Sequence, residues 1–141
     1  MMFTTDEIAG FVREETAYDG RIAPETTLQR DVGVFGDDMS DLLDAYSSRF
    51  SVDMSRYLWY FHTGEEGWNI GALFFQPPYA RVAEIPITIQ MIHEFANRGQ
   101  WAVAYPEHSL PARRYDILIC QAVVWLLSVG VVTLLAIKWL G

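Results

Sequence analysis

The sequence predicts a mainly α-helical protein, with a small helical bundle followed by one helix long and apolar enough to cross a membrane. In three separate stretches of the first 100 residues, apolar side chains recur at helical spacing. The last 25 residues contain 19 hydrophobic side chains and read as one further helix.

The three helices of the first part have recognisable beginnings or ends. The first is predicted to start at Thr4, because Thr4 and Glu7 have the spacing of a capping box, and to end at residues 19–20. The second begins near Asp37, and the third covers residues 87–98 and stops at Gly99, a typical C-terminal cap. The apolar stripe of the second helix is Met39, Leu42, Leu43, Tyr46 and Phe50.

Between the second and third helices, residues 64–84 interrupt the helical pattern. They contain Pro77 and Pro78, and two short strands beside this double proline are an alternative to a wholly irregular insertion. The predicted organisation is a domain over residues 1–101, a proline-containing linker over 102–116, a transmembrane helix over 117–137 and a short tail over 138–141.

Residues 117–137 form an uncharged run of 21 residues. As a helix this run would be roughly 31 Å long, which matches the hydrocarbon thickness of a bilayer. Cys120 is expected to face lipid or to pack against a neighbour. The anchor is marked along its length by Ile117, Trp125, Gly130 and Ile137.

The flanks of this run give an expected orientation. Arg113 and Arg114 precede the run and outnumber Lys138 after it. The N-terminus has neither the basic nor the apolar region of a secretory signal. We therefore expect a tail anchor in a bacterial inner membrane, with the N-terminal domain in the cytoplasm.

Charge is distributed unevenly along the chain. Residues 1–66 contain 14 acidic and 5 basic side chains, whereas residues 67–141 contain 4 acidic and 5 basic ones. An acidic first half argues against a nucleic acid partner and favours a basic protein. A single cysteine excludes an internal disulfide and any zinc site built from several thiolates.

Residues 26–50, TTLQRDVGVFGDDMSDLLDAYSSRF, resemble the central part of acyl carrier proteins. Residues 87–100 are similar to the last helix of those proteins. The resemblance is closest to a small domain-of-unknown-function family of carrier-like enterobacterial proteins, in which Gly-Asp-Asp stands where carriers have Asp-Ser-Leu. The positions that match without a gap are Leu28, Asp31, Val32, Gly33, Leu42, Ala45 and Phe50.

The resemblance implies a carrier-like helical bundle with an acidic recognition helix. It places Gly36 where carriers have the serine that holds phosphopantetheine, so no cofactor is expected. As an alternative, a shift of four residues would make Ser40 the phosphopantetheine attachment site. We expect the partner to be bound by Asp37, Asp38, Asp41 and Asp44, although support of the helix dipole and a solvated face explain the same residues.

The sequence thus favours a non-enzymatic, membrane-tethered interaction module that binds a protein partner through an acidic helix. One alternative is a phosphopantetheinylated, membrane-bound carrier that uses Ser40. Another is a small membrane protein of the assembly or immunity type, which acts through its transmembrane helix.

No catalytic residue or metal ligand is assigned. His62, Glu65 and Glu66 lie close in sequence, but no further ligands follow at a recognisable spacing, and we expect a solvated turn. A dense aromatic set is expected to fill the core, and the alternative is an exposed patch that lies on the membrane interface or on a partner. The set comprises Trp59, Tyr60, Phe61, Trp68, Phe74, Phe75 and Tyr79.

Overall fold

The computed structural model describes residues 2–141 and contains four α-helices. Helix α1 spans Thr5–Thr16, α2 spans Asp37–Phe50, α3 spans Ile89–Arg98 and α4 spans Tyr115–Leu140. Within residues 2–141, β-pairing is limited to two isolated bridges. The predicted mainly α-helical class with one long apolar C-terminal helix is confirmed. Short π- or 3-10-helical turns occur at Leu28–Val32, Trp59–Phe61, Ile70–Leu73 and Pro78–Ala80.

Helix α1 begins at the predicted capping box. The Glu7 backbone N–H donates to Thr4 Oγ1 at 3.2 Å, and the Thr4 backbone N–H donates to Glu7 Oε2 at 2.6 Å. The helix ends at Thr16, a few residues earlier than predicted, because Ala17 adopts a left-handed conformation with φ of 53°. The Thr16 hydroxyl donates to the carbonyl of Val12, four residues earlier in the helix, at 2.6 Å.

The hydrophobic core lies between α1, α2 and α3. The whole predicted stripe of α2 is buried, and the rings of Phe50 and Phe11 meet edge to face with centroids 5.3 Å apart. The Tyr46 hydroxyl donates to a main-chain carbonyl of α3 at 2.5 Å. Trp101 and Val103, which follow α3, are also buried. The core therefore includes residues beyond the end of α3.

The insertion over residues 64–84 is irregular, and its only regular parts are two 3-10 turns. The two short strands considered for this segment do not form within the described part of the chain. Pro77 and Pro78 lack the backbone N–H that a strand ladder requires, and both side chains are buried. The second of them begins the turn Pro78–Ala80 instead.

Helix α4 has 26 residues, a mean hydropathy of 2.4 in its apolar window, and no part of that window buried. It is long and apolar enough to cross a membrane, and it extends beyond the predicted run at both ends. Its first two turns contact the 3-10 turn Ile70–Leu73 of the insertion. The four residues that mark the predicted anchor all lie on it: Ile117, Trp125, Gly130 and Ile137.

Candidate functional site

The acidic residues of α2 form an exposed face. Asp37, Asp41 and Asp44 follow one another at helical spacing, with Asp38 beside them, and all four are exposed. Among residues 2–141, none of the four takes part in an ion pair. Asp37 and Asp38 lie in the first turn, where negative charge is favoured by the helix dipole. The face thus presents negative charge that nothing in the described chain neutralises.

Clefts lie on both sides of this face. On one side, an open cleft of about 510 Å³ is lined by Asp37 and Ser40 of α2 and by the two glutamates of the 63–69 segment. On the other side, a cleft of about 440 Å³ is lined by Asp38 and Asp41 together with Glu15 of α1. Both clefts therefore add carboxylates beside the exposed face.

Gly36 immediately precedes α2, at the position where the resemblance expects the carrier serine. Its φ of 58° is strained for any residue with a side chain. Its backbone N–H donates to Thr63 Oγ1 at 2.7 Å, and a Cβ added here would collide with the Glu66 side chain. The backbone conformation and the packing at this position therefore both favour glycine. Ser40 is exposed one turn later and lines the same cleft as Glu66.

The insertion is joined to the start of α4 by an ion-pair cluster. Arg114 donates to both carboxylate oxygens of Glu65, at 2.9 and 2.7 Å, and to both of Asp116, at 3.0 and 2.6 Å. Asp116 is 2% exposed, and its carboxylate also accepts from Asn69 Nδ2 at 2.8 Å. These bonds raise the pKa of Arg114 further above its usual value. The cluster holds the insertion against α4.

One turn further along α4, the insertion makes further contacts with Cys120. Asn69 Oδ1 accepts from the Ala72 backbone N–H and from Cys120 Sγ, at 3.1 and 3.2 Å. The Gly71 backbone N–H donates to Cys120 Sγ at 3.3 Å, and a Cβ on Gly71 would collide with the main-chain carbonyl of Asp116. Cys120 thus packs against the insertion, which is one of its two expected roles. Sequence reasoning missed this junction, although an acid just before an apolar run was a signal.

His62 lies in the interior and not in a solvated turn, so that interpretation is wrong for this residue. It is 0% exposed; Nδ1 donates to the Ile85 carbonyl at 2.7 Å, and Nε2 accepts from the Tyr105 hydroxyl at 2.8 Å. The Tyr105 oxygen in turn accepts from Trp101 Nε1 at 2.8 Å and from the Leu58 backbone N–H at 3.1 Å. Burial lowers the pKa of His62 to about 4, so the ring is neutral at pH 7.

The two glutamates that follow His62 in sequence do not share its environment. Glu65 pairs with Arg114, Glu66 covers Gly36, and both are exposed. Within residues 2–141, no three histidine, cysteine, aspartate or glutamate side chains converge in a way that could hold a metal ion. The structure therefore assigns these three residues to three separate structural contacts.

The aromatic set divides into a buried and an exposed part. Phe61 is 1% exposed, and Trp59, Tyr60 and Tyr79 are partly buried. The expectation that the whole set fills the core is wrong for three members. These are Trp68, Phe74 and Phe75, which are 95%, 70% and 43% exposed.

A protein family model matches most of the chain. The family described as a protein of unknown function (DUF1493) matches residues 2–104. The chain belongs to this family. The DUF1493 region includes α1, α2, α3 and the insertion, and it ends before α4. No curated protein matches the chain, and no solved structure matches it either. The predicted membership of an uncharacterised family is confirmed, and the family description supplies no activity.

Proposed function

We propose that this protein is a membrane-anchored, non-enzymatic binding domain in which α2 recruits a basic protein partner. One observation carries the proposal: four exposed aspartates on one helix face have no ion-pair partner among residues 2–141. Such a face attracts complementary positive charge and selects against acidic partners. The acyl-carrier resemblance supports the same use of α2, since carriers bind through the equivalent acidic helix.

The anchor in this proposal is α4, inserted in a bacterial inner membrane with the DUF1493 region in the cytoplasm. Its 26 residues, which include the uncharged run over 117–137, supply the length that a transmembrane helix needs. Arg113 is exposed and makes no ion pair within the described chain, so it remains available to the cytoplasmic lipid surface. Anchoring would confine the acidic face to the membrane surface, where a membrane-bound partner would meet it.

The test reverses charge at Asp41 and Asp44. These two lie beyond the first turn of α2, so D41K/D44K leaves the favourable charges at the helix start in place. The control, E25K/E107K, makes the same change in net charge at two exposed carboxylates without ion pairs elsewhere. Full-length protein is used to capture proteins from detergent-solubilised membranes of the native host at low salt.

The expected result is a basic protein captured by the wild type and the control but lost with D41K/D44K. Capture should also weaken as salt rises, because exposed charges are screened over about 10 Å at 0.1 M salt. Equal capture by wild type and D41K/D44K would contradict the assignment of the acidic face.

A second candidate is the phosphopantetheinylated carrier, and it is favoured by the position of Ser40. This serine is exposed and lines the 510 Å³ cleft at the start of α2, whereas Gly36 offers no hydroxyl. The test is the intact mass of protein made beside an active phosphopantetheinyl transferase. A phosphopantetheinyl increment that disappears in Ser40→Ala would replace the first proposal, and the bare polypeptide mass would reject the second.

A further inference from the structure

Exposed apolar side chains are concentrated in one short stretch of the insertion, which we call the 68–75 patch. Among residues 2–141 outside α4, the other exposed large hydrophobic residues are Met2 and Phe35. A soluble surface rarely gathers so many large apolar side chains in so few residues. The patch consists of Trp68, Ile70, Leu73, Phe74 and Phe75, which are 95%, 41%, 82%, 70% and 43% exposed.

The patch is fixed beside the first two turns of α4. The rings of Phe75 and Tyr115 are 5.4 Å apart, and the Gly71 backbone N–H donates to Cys120 Sγ. Asn69, next to Trp68, donates to the Asp116 carboxylate at 2.8 Å. The apolar surface of the patch is therefore continuous with that of α4 at the level of residues 115–120.

The length of α4 indicates how deep residues 115–120 lie in the bilayer. The 26 residues of α4 correspond to about 39 Å, whereas a hydrocarbon core of about 30 Å needs about 20 residues. Lys138 and Trp139 suit the headgroup region at the far end of the helix. Counting about 20 residues back from Ile137 reaches Leu118. Residues 115–120, and the patch beside them, then coincide with the boundary between headgroups and acyl chains.

We propose that the 68–75 patch inserts into the membrane interface as a second lipid contact beside α4. This inference rests on the proposed anchoring by α4. Tryptophan and phenylalanine are favoured at this boundary, and Leu73 and Phe74 would exchange exposure to water for exposure to acyl chains. Arg113, exposed at the same level, supplies a cation for lipid phosphates. Two contacts, one through α4 and one through the patch, fix the orientation of the domain on the bilayer.

The experiment measures the depth of labelled positions in the full-length protein. Cys120→Ser removes the one native thiol and keeps a hydroxyl donor for Asn69. A single cysteine is then introduced by Leu73→Cys in the patch, Leu126→Cys in α4 or Ser48→Cys on the exposed side of α2, and each is labelled with an environment-sensitive fluorophore. The protein is reconstituted in phosphatidylcholine–phosphatidylglycerol vesicles whose acyl chains are brominated near the carbonyl end or near the methyl end.

We expect the label at position 73 to lose most fluorescence with bromine near the carbonyl end, and its emission to shift to the blue. The label at position 126 should be quenched more by bromine near the methyl end, and the label at position 48 by neither. Quenching at 126 together with a label at 73 that behaves like the one at 48 would overturn the patch proposal alone. No quenching at 126 would overturn both the anchoring and the patch.

Discussion

His62 joins three segments of the chain that are far apart in sequence. Its ring lies between the Ile85 carbonyl and the Tyr105 hydroxyl, and that hydroxyl also receives hydrogen bonds from Trp101 and Leu58. Every polar atom of the imidazole is thus bonded in its neutral form. Protonation would add a second ring N–H and a charge in a site without exposure to solvent.

We expect the free energy of unfolding to decrease as the pH is lowered, because of this ring. Its pKa is about 4 in the folded protein against about 6.5 in the unfolded chain, so the unfolded state binds more protons between these values. The contribution is fully present above pH 6.5 and is lost as pH falls toward 4. It amounts to about 3 kcal/mol. Denaturant unfolding of the full-length protein in detergent, followed by tryptophan fluorescence, measures it.

The variant His62→Gln separates this effect from general acid denaturation. It has no group that titrates between pH 4 and 6.5 at this position, so the part of the slope that belongs to His62 should disappear even if the variant is less stable throughout. A slope unchanged from that of the wild type would show that His62 is not its source.

Gly71 allows the insertion to approach α4 at backbone distance. In Gly71→Ala the new Cβ would collide with the Asp116 carbonyl, so we expect the insertion to move away from α4 and to release Cys120. The measurement is the rate at which Cys120 reacts with a thiol reagent in detergent, which should rise. Gly10→Ala is the control: nothing lies near its Cβ, and it should stabilise α1 by about 0.5–1 kcal/mol without changing that rate.

At the scale of elements, the cluster around Arg114 supplies the ion pairs that join the insertion to α4, in addition to the contacts made by Gly71 and Phe75. Arg114→Gln would leave the Asp116 carboxylate buried with Asn69 as its remaining side-chain partner. Because the Asp116 side chain is 3% exposed, loss of its charged partner is destabilising, although the 29% exposure of Arg114 reduces the effect. We therefore expect residues 64–84 to exchange amide hydrogens faster in Arg114→Gln, as measured by mass spectrometry in detergent.

The neighbouring arginine gives a matched control. Arg113 is exposed and makes no ion pair within the described residues, so Arg113→Gln should leave exchange in the insertion unchanged. Equal acceleration in both variants would mean that the ion pairs of Arg114 do not hold the insertion in place.

The elements that could be predicted from the sequence are those that local chemistry determines. The capping box at Thr4, the apolar stripe of α2 and the uncharged run of α4 each lie within one short segment, and each was found. The insertion could not be predicted in this way. Its contacts pair Asn69 with Asp116 and Cys120, which are about 50 residues away, and no periodicity reveals such a pairing.

The candidate site shows the same division. The acidic face of α2 follows from helical spacing alone. The burial of His62 depends on Tyr105 and Ile85, and the cover over Gly36 depends on Glu66. Adjacency in sequence suggested that His62 and Glu66 share one turn, but the chain places the first in the core and the second at the surface.

At the scale of the whole molecule, we propose that α4 anchors the protein in the membrane and that α2 binds the partner. Replacing residues 121–140 with an unrelated apolar helix of equal length, while keeping residues 115–120 and their contacts, should leave partner capture unchanged. Capture from detergent-solubilised host membranes, as with the charge variants, measures this. Loss of capture would favour the alternative in which the transmembrane helix itself makes the specific contacts.

The junction between the insertion and α4 also has a geometric consequence. A domain on a flexible linker would sample a wide range of orientations and would present its acidic face to partners from any direction. Here Glu65, Arg114 and Asp116 link the domain to the axis of α4. With α4 anchored as proposed, the aspartates of α2 would keep one direction around that axis and one distance from the bilayer. A partner confined to the same bilayer would have to approach from that direction. The direction of approach, as well as charge, would then discriminate among possible partners.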